Sequence, residues 1–246
     1  MGASSLSPHG QPSGVGSGPA RGTTATPPAA VITRVGTSGS CQDVVLIGAE
    51  GSGQTYADEQ GLGHEVKYAL DRLAENLPGY HIGWNALPYP AAPADPAALL
   101  DPTYRKTFFA SIDSGIHEAE LVLKQRAIRC PQERYVLAGF SQGAMVMHRT
   151  IYRLSRNLTS GDSSTKLLPQ VSAVFAIADG DKVENQGGTL LGNSSRTGYG
   201  VIWWKMVSQK FWPSHAAAKI PAARNGWAPA RFYSICKGGD YICDWL

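Results

Sequence analysis

The sequence predicts an α/β fold: a three-layer α/β/α sandwich around a central, mostly parallel, five-stranded sheet. The main observation is that short apolar runs alternate with helical patterns from Cys41 onward. This alternation is typical of βαβ units around a parallel sheet that is covered on both faces. The second observation is length, because 246 residues with 43% apolar residues are enough for one well-buried domain of this kind.

Five segments are predicted strands, and three helices lie between them. The first helix runs from Gly63 to Leu77, and the third runs from Gln142 to about Asn157. The second helix begins at Asp101-Pro102, a favourable N-cap and first-turn pair. Its apolar side chains recur at a spacing of three to four residues, which predicts one face packed against the sheet. The predicted strands are residues 43–49, 79–85, 134–140, 171–178 and 231–236.

The first 40 residues have a different composition from the rest of the chain. Half of them are Gly, Ser or Pro, and they have almost no charge and no hydrophobic periodicity. Such a segment cannot bury enough apolar surface to order itself, so residues 1–40 are predicted to be a disordered tether. Residues 41–246 are predicted to form the domain.

Charge and hydropathy exclude two classes of partner. The 22 basic and 19 acidic residues give a net charge of +3, without a block of one sign large enough to hold nucleic acid. No apolar run approaches the length of a transmembrane helix, and the residues after Met1 do not resemble a secretion signal. We expect a monomer that needs no cofactor and no metal.

Residues 139–143 read Gly-Phe-Ser-Gln-Gly and match the G-x-S-x-G pattern. They lie between a predicted strand and a predicted helix, so the chain must turn sharply at Ser141, and this requires almost no side chain at Gly139 and Gly143. The following helix would supply backbone N–H groups where an oxyanion develops. This context favours Ser141 as a catalytic nucleophile. The alternative is a glycine-bounded turn in which the serine only caps the helix.

The four cysteines are even in number, which suggests two disulfides. They are Cys41, Cys130, Cys236 and Cys243. Their spacing does not match a zinc site, and no histidine lies beside them at ligand spacing. Four reduced core thiols are the alternative interpretation. Disulfides would indicate maturation in an oxidising compartment, and therefore secretion.

Several segments, taken in order, resemble the cutinase family of serine esterases. Ile112 to Ala144 contains the helix, Cys130-Pro131, the strand YVLAGF and Ser-Gln-Gly-Ala. The opening strand from Cys41 is followed by Ala49-Glu-Gly-Ser-Gly-Gln54, similar to the family's oxyanion loop. Tyr89-Pro-Ala91 matches the segment after the second strand, and Cys236 and Cys243 bracket Gly239-Asp240. The resemblance covers about residues 41 to 246.

This resemblance implies a cutinase-like α/β-hydrolase fold and a role for each matched residue. Ser141 is then the nucleophile that attacks an ester carbonyl, and Asp240 is the acid that orients an imidazole. Ser52 and Gln142 donate hydrogen bonds in the oxyanion hole. Cys41 pairs with Cys130, and Cys236 pairs with Cys243. The implied substrate is an ester, either a polyester, a lipid or a small ester, and a thioester or another acyl acceptor stays open.

The sequence departs from the family at the expected histidine. Family members place it after the aspartate, but only six residues follow Asp240 and none is histidine. Three explanations stay open. The first is that the domain is incomplete at its C-terminus, and the second is that His215 substitutes from a long loop. The third is that the domain is a non-catalytic relative that binds an apolar ligand or surface.

The remaining candidate residues have ordinary structural interpretations. Asp179 and Asp181 follow the fourth predicted strand and are alternative acids, ranked below Asp240 because both also suit a turn. The aromatic segment from Tyr199 to Trp212 is either a flap beside the site or a helix packed as core. The histidines expected to be structural or outside the domain are His9, His64, His81, His117 and His148.

Overall fold

The domain is built on a seven-stranded sheet with helices on both faces. A computed structural model describes residues 27–95, 101–156, 167–202, 220, 222–223 and 227–245. The helices are α1 (Gly63–Asn76), α2 (Pro102–Arg129) and α3 (Gln142–Arg156). The strands are β1 (Val31–Arg34), β2 (Val44–Ala49), β3 (His81–Ala86), β4 (Arg134–Phe140), β5 (Val171–Ile177), β6 (Thr189–Gly192) and β7 (Phe232–Cys236).

All neighbouring strands of the sheet are parallel. Their order is β1-β3-β2-β4-β5-β7-β6, so the carboxyl ends of all strands meet at one edge. Every residue of β2 is buried, as expected for a central strand covered on both faces. In open parallel sheets, ligands bind at the carboxyl edge, so the functional side chains are expected at this edge.

Two apolar clusters, one on each face of the sheet, confirm the predicted three layers. On one face Val66 and Leu70 of α1, with the preceding Leu62, pack against alternate residues of β2, β3 and β4. On the other face α3 packs against alternate residues of β2, β4 and β5, and α2 packs against α3. Asp101 caps α2 as predicted, because its side chain accepts hydrogen bonds from the N–H groups of Thr103 and Tyr104. Within the described ranges, no helix is long and apolar enough to cross a membrane.

The predicted strand number was wrong by two. β1 lies inside the segment that was assigned to the tether, and its four residues are all exposed. β6 contains no buried residue. Short edge strands bury little apolar surface, so they leave no periodic pattern in the sequence. The tether prediction is therefore corrected at residues 31–34, which form part of the sheet, while residues 1–26 lie outside the described residues.

Both disulfide pairs implied by the resemblance are present. Cys41 is bonded to Cys130 across 89 residues, and Cys236 is bonded to Cys243 across seven. Beside the first bridge, the fully buried Arg126 donates from Nε to Glu133 Oε2 at 2.9 Å. The same guanidinium donates to the carbonyl of Ser40 at 3.0 Å. The bridge and this buried ion pair together fix the chain that leads into β2.

Candidate active site

Ser141 lies on a sharp turn between β4 and α3, at the carboxyl edge of the sheet. Its φ is 51°, in the left-handed region that non-glycine residues rarely adopt. Such backbone strain clusters at functional sites and persists only where the surrounding structure enforces it. Here the backbone N–H of Ser141 donates to the carbonyl of Ile177 at 2.8 Å, which holds the turn against β5. The predicted strand, turn and helix are confirmed.

The two glycines of the G-x-S-x-G pattern allow the backbone to approach itself closely. A Cβ atom on Gly139 would overlap the backbone carbonyl of Gly143. A Cβ atom on Gly143 would overlap the backbone carbonyl of Ala49 at the end of β2. Side chains at these two positions would therefore force the turn away from the sheet, and this is the physical reason for the pattern.

Ser52 and Gln142 supply candidate hydrogen-bond donors beside this turn. The hydroxyl oxygen of Ser52 is buried and has no hydrogen-bond partner among the described residues. The side chain of Gln142 is already engaged, because its Nε2 donates to the carbonyl of Ala92 at 3.1 Å and its Oε1 accepts from Ser111 Oγ at 3.0 Å. The free donor of Gln142 is therefore its backbone N–H, which begins α3 and has no partner within the helix.

Asp240 lies in a short loop after β7 that the Cys236–Cys243 disulfide closes. β5 separates β7 from β4, so the two strand ends are about 10 Å apart. Phe140, the residue before Ser141, packs against the cluster that contains this disulfide. Ser141 and Asp240 therefore lie on neighbouring parts of the carboxyl edge of the sheet. The packing of Phe140 connects these two parts. Asp240 is partly exposed, and its Oδ1 accepts from the N–H of Ile242 at 2.8 Å.

Buried Asp244 holds the same loop from its other side. Its Oδ2 accepts from the N–H of Gly239 at 3.1 Å, and its Oδ1 accepts from the N–H of Ser195 at 3.1 Å. The ammonium of Lys182 lies 3.5 Å from Asp244 Oδ1. Burial lowers the pKa of Lys182, while the carboxylate of Asp244 opposes that shift. The position of Asp240 is therefore fixed by a disulfide, a buried ion pair and backbone hydrogen bonds.

The Cutinase family matches this chain over residues 40–246. The chain belongs to the Cutinase family. Carboxylesterase Culp1 of Mycobacterium tuberculosis is 32% identical to it over 107 residues, 44% of this chain and 42% of that protein. The chain thus spans less than half the length of that relative. Cutinase CUT2 of Pyricularia oryzae is 29% identical over 185 residues, 67% of this chain and 77% of that protein.

Two solved structures have the same fold as this Cutinase-family chain. The catalytic core domain of acetyl xylan esterase from Trichoderma reesei superposes with a TM-score of 0.57 and 18% identity, over 83% of this chain and 87% of that one. A cutinase-like protein from Cryptococcus sp. superposes with a TM-score of 0.55 and 19% identity, over 82% and 79% of the two chains. At these identities the likeness concerns the fold alone.

The alternative acids of this Cutinase-family domain are both engaged in buried pairs. Asp179 Oδ2 lies 2.7 Å from His148 Nδ1, and Asp181 Oδ1 accepts from Arg149 at 2.8 Å. All four side chains are buried. Burial would lower the pKa of His148, but the charge and hydrogen bond of Asp179 raise it above its usual value. No hydrogen bond joins His148 to Ser141 in the described part of the chain.

The other histidines do not identify a general base for Ser141 within the described residues. Three of them, His64, His81 and His117, are exposed on α1, β3 and α2. His9 and His215 lie outside the described residues, as does most of the aromatic segment from Tyr199 to Trp212. Its described part contains Ile202, which is buried in the core on the α2 and α3 side of the sheet.

Glu50 is a residue of this site that the sequence analysis did not single out. It directly follows β2, begins the loop that carries Ser52, and is only 6% exposed. Burial, with a smaller contribution from the negative charge of Asp58, raises the pKa of Glu50 to about 7. The hydroxyl of Tyr89 donates to the Glu50 carbonyl. A carboxylate placed directly after a central strand is the sequence pattern that could have identified it.

The raised pKa of Glu50 predicts a pH-dependent stability. A carboxyl with a pKa near 7 in the folded state and 4.5 in the unfolded state binds more protons when folded between these values. Glu50 is therefore expected to contribute a decrease in the free energy of unfolding as the pH rises from 4.5 to 7. Urea unfolding at several pH values would measure this slope. We expect Glu50→Gln to flatten it and Glu75→Gln, an exposed control on α1, to leave it unchanged. An unchanged slope in Glu50→Gln would contradict the assignment.

Proposed function

We propose that this protein is a serine carboxylester hydrolase that forms an acyl-enzyme on Ser141. The observation that carries the proposal is the left-handed turn at Ser141, which holds its hydroxyl at the carboxyl edge of the sheet. Membership of the Cutinase family supports the same reaction class. The relatives that match part of this chain are named carboxylesterase and cutinase, and both names support the hydrolysis of esters.

The arrangement of donors suggests how the reaction proceeds. Ser141 Oγ attacks the ester carbonyl, and the carbonyl oxygen becomes an oxyanion. The Ser52 hydroxyl and the Gln142 backbone N–H stabilise it, because unused donors in a water-poor site are worth more than in water. The alcohol leaves, an acyl group stays on Ser141, and water attacks it to release the acid and restore the hydroxyl. None of these steps needs a cofactor.

The proton carrier in this proposal is an imidazole oriented by Asp240. A serine hydroxyl is a weak nucleophile without a neighbouring base. We propose Asp240 as the carboxylate that orients this ring, and its loop is closed by the Cys236–Cys243 bridge. Within this sequence the candidate for the imidazole is His215. The rival function is a non-catalytic domain that binds an apolar ligand. It is favoured because no imidazole among the described residues is hydrogen-bonded to Ser141.

The proposed substrate class is an ester of a polyester, a lipid or a small molecule. A structural neighbour is named an acetyl xylan esterase, and carbohydrate esters therefore join the substrates to be tested. We also propose that the protein is extracytoplasmic, because both disulfides need an oxidising compartment. A monomeric state is a separate part of the proposal.

Covalent labelling tests the nucleophile directly. A fluorophosphonate probe reacts with activated serine hydroxyls, so the folded protein is expected to gain one adduct, on the peptide that contains Ser141. Tandem mass spectrometry locates the adduct. Urea-unfolded protein should not react, because the turn and its neighbouring donors are lost. An adduct on another serine, or none after prolonged incubation with an active control esterase in parallel, would contradict the proposal and favour the non-catalytic rival.

A further inference from the structure

Residues 89–92 contact both elements that carry the proposed oxyanion donors. These elements are the loop of Ser52, which follows β2, and the first turn of α3 at Gln142. Apart from Pro90, the 89–92 segment is buried. The proposed reaction uses none of its side chains, so any function of this segment in catalysis must act through its contacts with the two elements.

A single peptide unit of this segment bridges the Ser52 loop and α2. The carbonyl of Ala91 accepts from the N–H of Gly53, the residue after Ser52, at 2.7 Å. The N–H of Ala92, on the other side of the same peptide bond, donates to Ser111 Oγ at 3.1 Å. A trans peptide unit is planar and rigid, and its C=O and N–H groups point in opposite directions. The peptide between Ala91 and Ala92 is therefore a spacer of fixed length.

Ser111 continues this chain of hydrogen bonds to Gln142. Its hydroxyl donates to Gln142 Oε1 at 3.0 Å, and Gln142 Nε2 donates to the carbonyl of Ala92 at 3.1 Å. The three residues form a closed ring, in which the hydroxyl of Ser111 is both an acceptor and a donor. Ser111 is 3% exposed and Gln142 is 1% exposed, so bulk water does not compete for these hydrogen bonds. Ser111 therefore fixes the orientation of the Gln142 side chain.

The 89–92 segment also holds the beginning of the Ser52 loop. One turn of α2 after Ser111, a Cβ atom on Gly115 would lie 3.1 Å from the ring of Tyr89, so the glycine lets this ring approach the helix closely. The hydroxyl of Tyr89 donates to the carbonyl of Glu50. Two hydrogen bonds, one before and one after Ser52, therefore tie its loop to the segment.

We propose that Ser111 is a positioning residue of the oxyanion hole. It joins Gln142 to the peptide that holds Gly53, and so it fixes the distance between the two proposed donors, the Ser52 hydroxyl and the Gln142 backbone N–H. Donors that are already in place stabilise an oxyanion best, because they do not reorganise in the transition state. The contribution to catalysis rests on the proposed esterase function, whereas the link between Ser111 and the Ser52 loop does not.

Hydrogen exchange of backbone amides tests this link without any chemistry. In the full chain, Ser111→Ala removes the hydrogen-bond partner of the Ala92 N–H and of Gln142 Oε1, so the 89–92 segment is expected to loosen. We expect the N–H of Gly53 to exchange at least about tenfold faster than in the unmodified protein, relative to the amides of β2. NMR measures this exchange residue by residue. An unchanged relative rate at Gly53 overturns the proposal.

Thr150→Val is the matched control for a buried hydroxyl. Thr150 is fully buried on α3, and its Oγ1 donates to the carbonyl of Val146 at 2.8 Å. It lies about 12 Å along the helix from Gln142. Removal of its hydroxyl is therefore expected to leave the relative exchange rate of Gly53 unchanged. Faster exchange of Gly53 in this control, equal to that in Ser111→Ala, would show a general loss of packing and overturn the proposal.

Ser111→Cys keeps the test decisive if Ser111→Ala does not melt as a cooperative fold. The thiol fills the site but hydrogen-bonds only weakly. The N–H of Gly53 is therefore expected to exchange faster in this variant as well, by at least about threefold relative to β2. An unchanged relative rate in Ser111→Cys then overturns the proposal.

Kinetics test the consequence for catalysis. Ser111→Ala is expected to lower kcat for p-nitrophenyl butyrate by about tenfold and to leave KM within about twofold, because displaced donors weaken the binding of the transition state rather than of the ester. Thr150→Val should change neither value. An unchanged kcat in Ser111→Ala overturns the catalytic part of the proposal.

A double-mutant cycle with Ser52→Ala distinguishes positioning from a structural effect. With one donor left, the oxyanion no longer has to fit two donors at once. Adding Ser111→Ala to Ser52→Ala should therefore lower kcat by less than about threefold. A further tenfold loss would show that Ser111 acts independently of the Ser52 donor, and it overturns the catalytic part. If the unmodified protein hydrolyses no ester, the esterase function and the catalytic part both fail, and the exchange of Gly53 alone decides the link.

Discussion

Replacing Ser141 with alanine is expected to reduce kcat/KM for p-nitrophenyl butyrate by at least about a thousandfold. The reason is that no acyl-enzyme forms without the hydroxyl, whereas the backbone of the turn remains. Stopped assays at several substrate concentrations would separate kcat from KM. We expect the loss in kcat, because the hydroxyl acts in the transition state rather than in binding.

A matched serine makes this result specific. Ser172 is exposed at the start of β5, at the opposite edge of the sheet from Ser141. Ser172→Ala should retain the activity of the unmodified protein, and both variants should melt within a few degrees of it. If Ser141→Ala and the unmodified protein hydrolyse the ester at the same rate, the esterase assignment is wrong, and the non-catalytic rival replaces it.

The two disulfides are expected to affect different properties of the protein. Removing the Cys41–Cys130 bridge by a double change to alanine should lower the free energy of unfolding by roughly 4 to 5 kcal/mol, because the bridge closes a long loop in the unfolded chain. Removing Cys236–Cys243 should lower it by only roughly 2 to 3 kcal/mol, since that loop is short. Urea unfolding measures both values.

Activity should follow the opposite order. The short bridge holds the loop of Asp240 against Phe140, so its removal should lower kcat by at least about tenfold at temperatures where the variant is folded. The long bridge is far from the carboxyl edge, beside Glu133 at the start of β4, and its removal should leave kcat within about twofold. The reverse pattern would show that Asp240 has no catalytic function.

The layered fold could be predicted because its central elements carry strong local patterns. β2, β4 and β5 are apolar runs of the length of a buried strand, and α2 begins at a recognisable Asp-Pro cap. The edge strands β1 and β6 could not be predicted in this way. Both edge strands form because their backbone N–H and C=O groups hydrogen-bond to β3 and β7. This backbone pairing does not depend on the side chains of the edge strands.

The sequence by itself predicted the layered α/β class, the central strands and the turn at Ser141, because apolar periodicity and two glycines within five residues act locally. The order of the strands came only from the structure. The sequence also contained the cysteines, but their pairing was implied only by the resemblance and is shown by the structure. Only the tertiary structure showed that Asp179 and Asp181 are held by His148 and Arg149, and that Glu50 is buried with a pKa near 7. Burial and ionic partners depend on segments that are distant in the chain, so no local pattern encodes them.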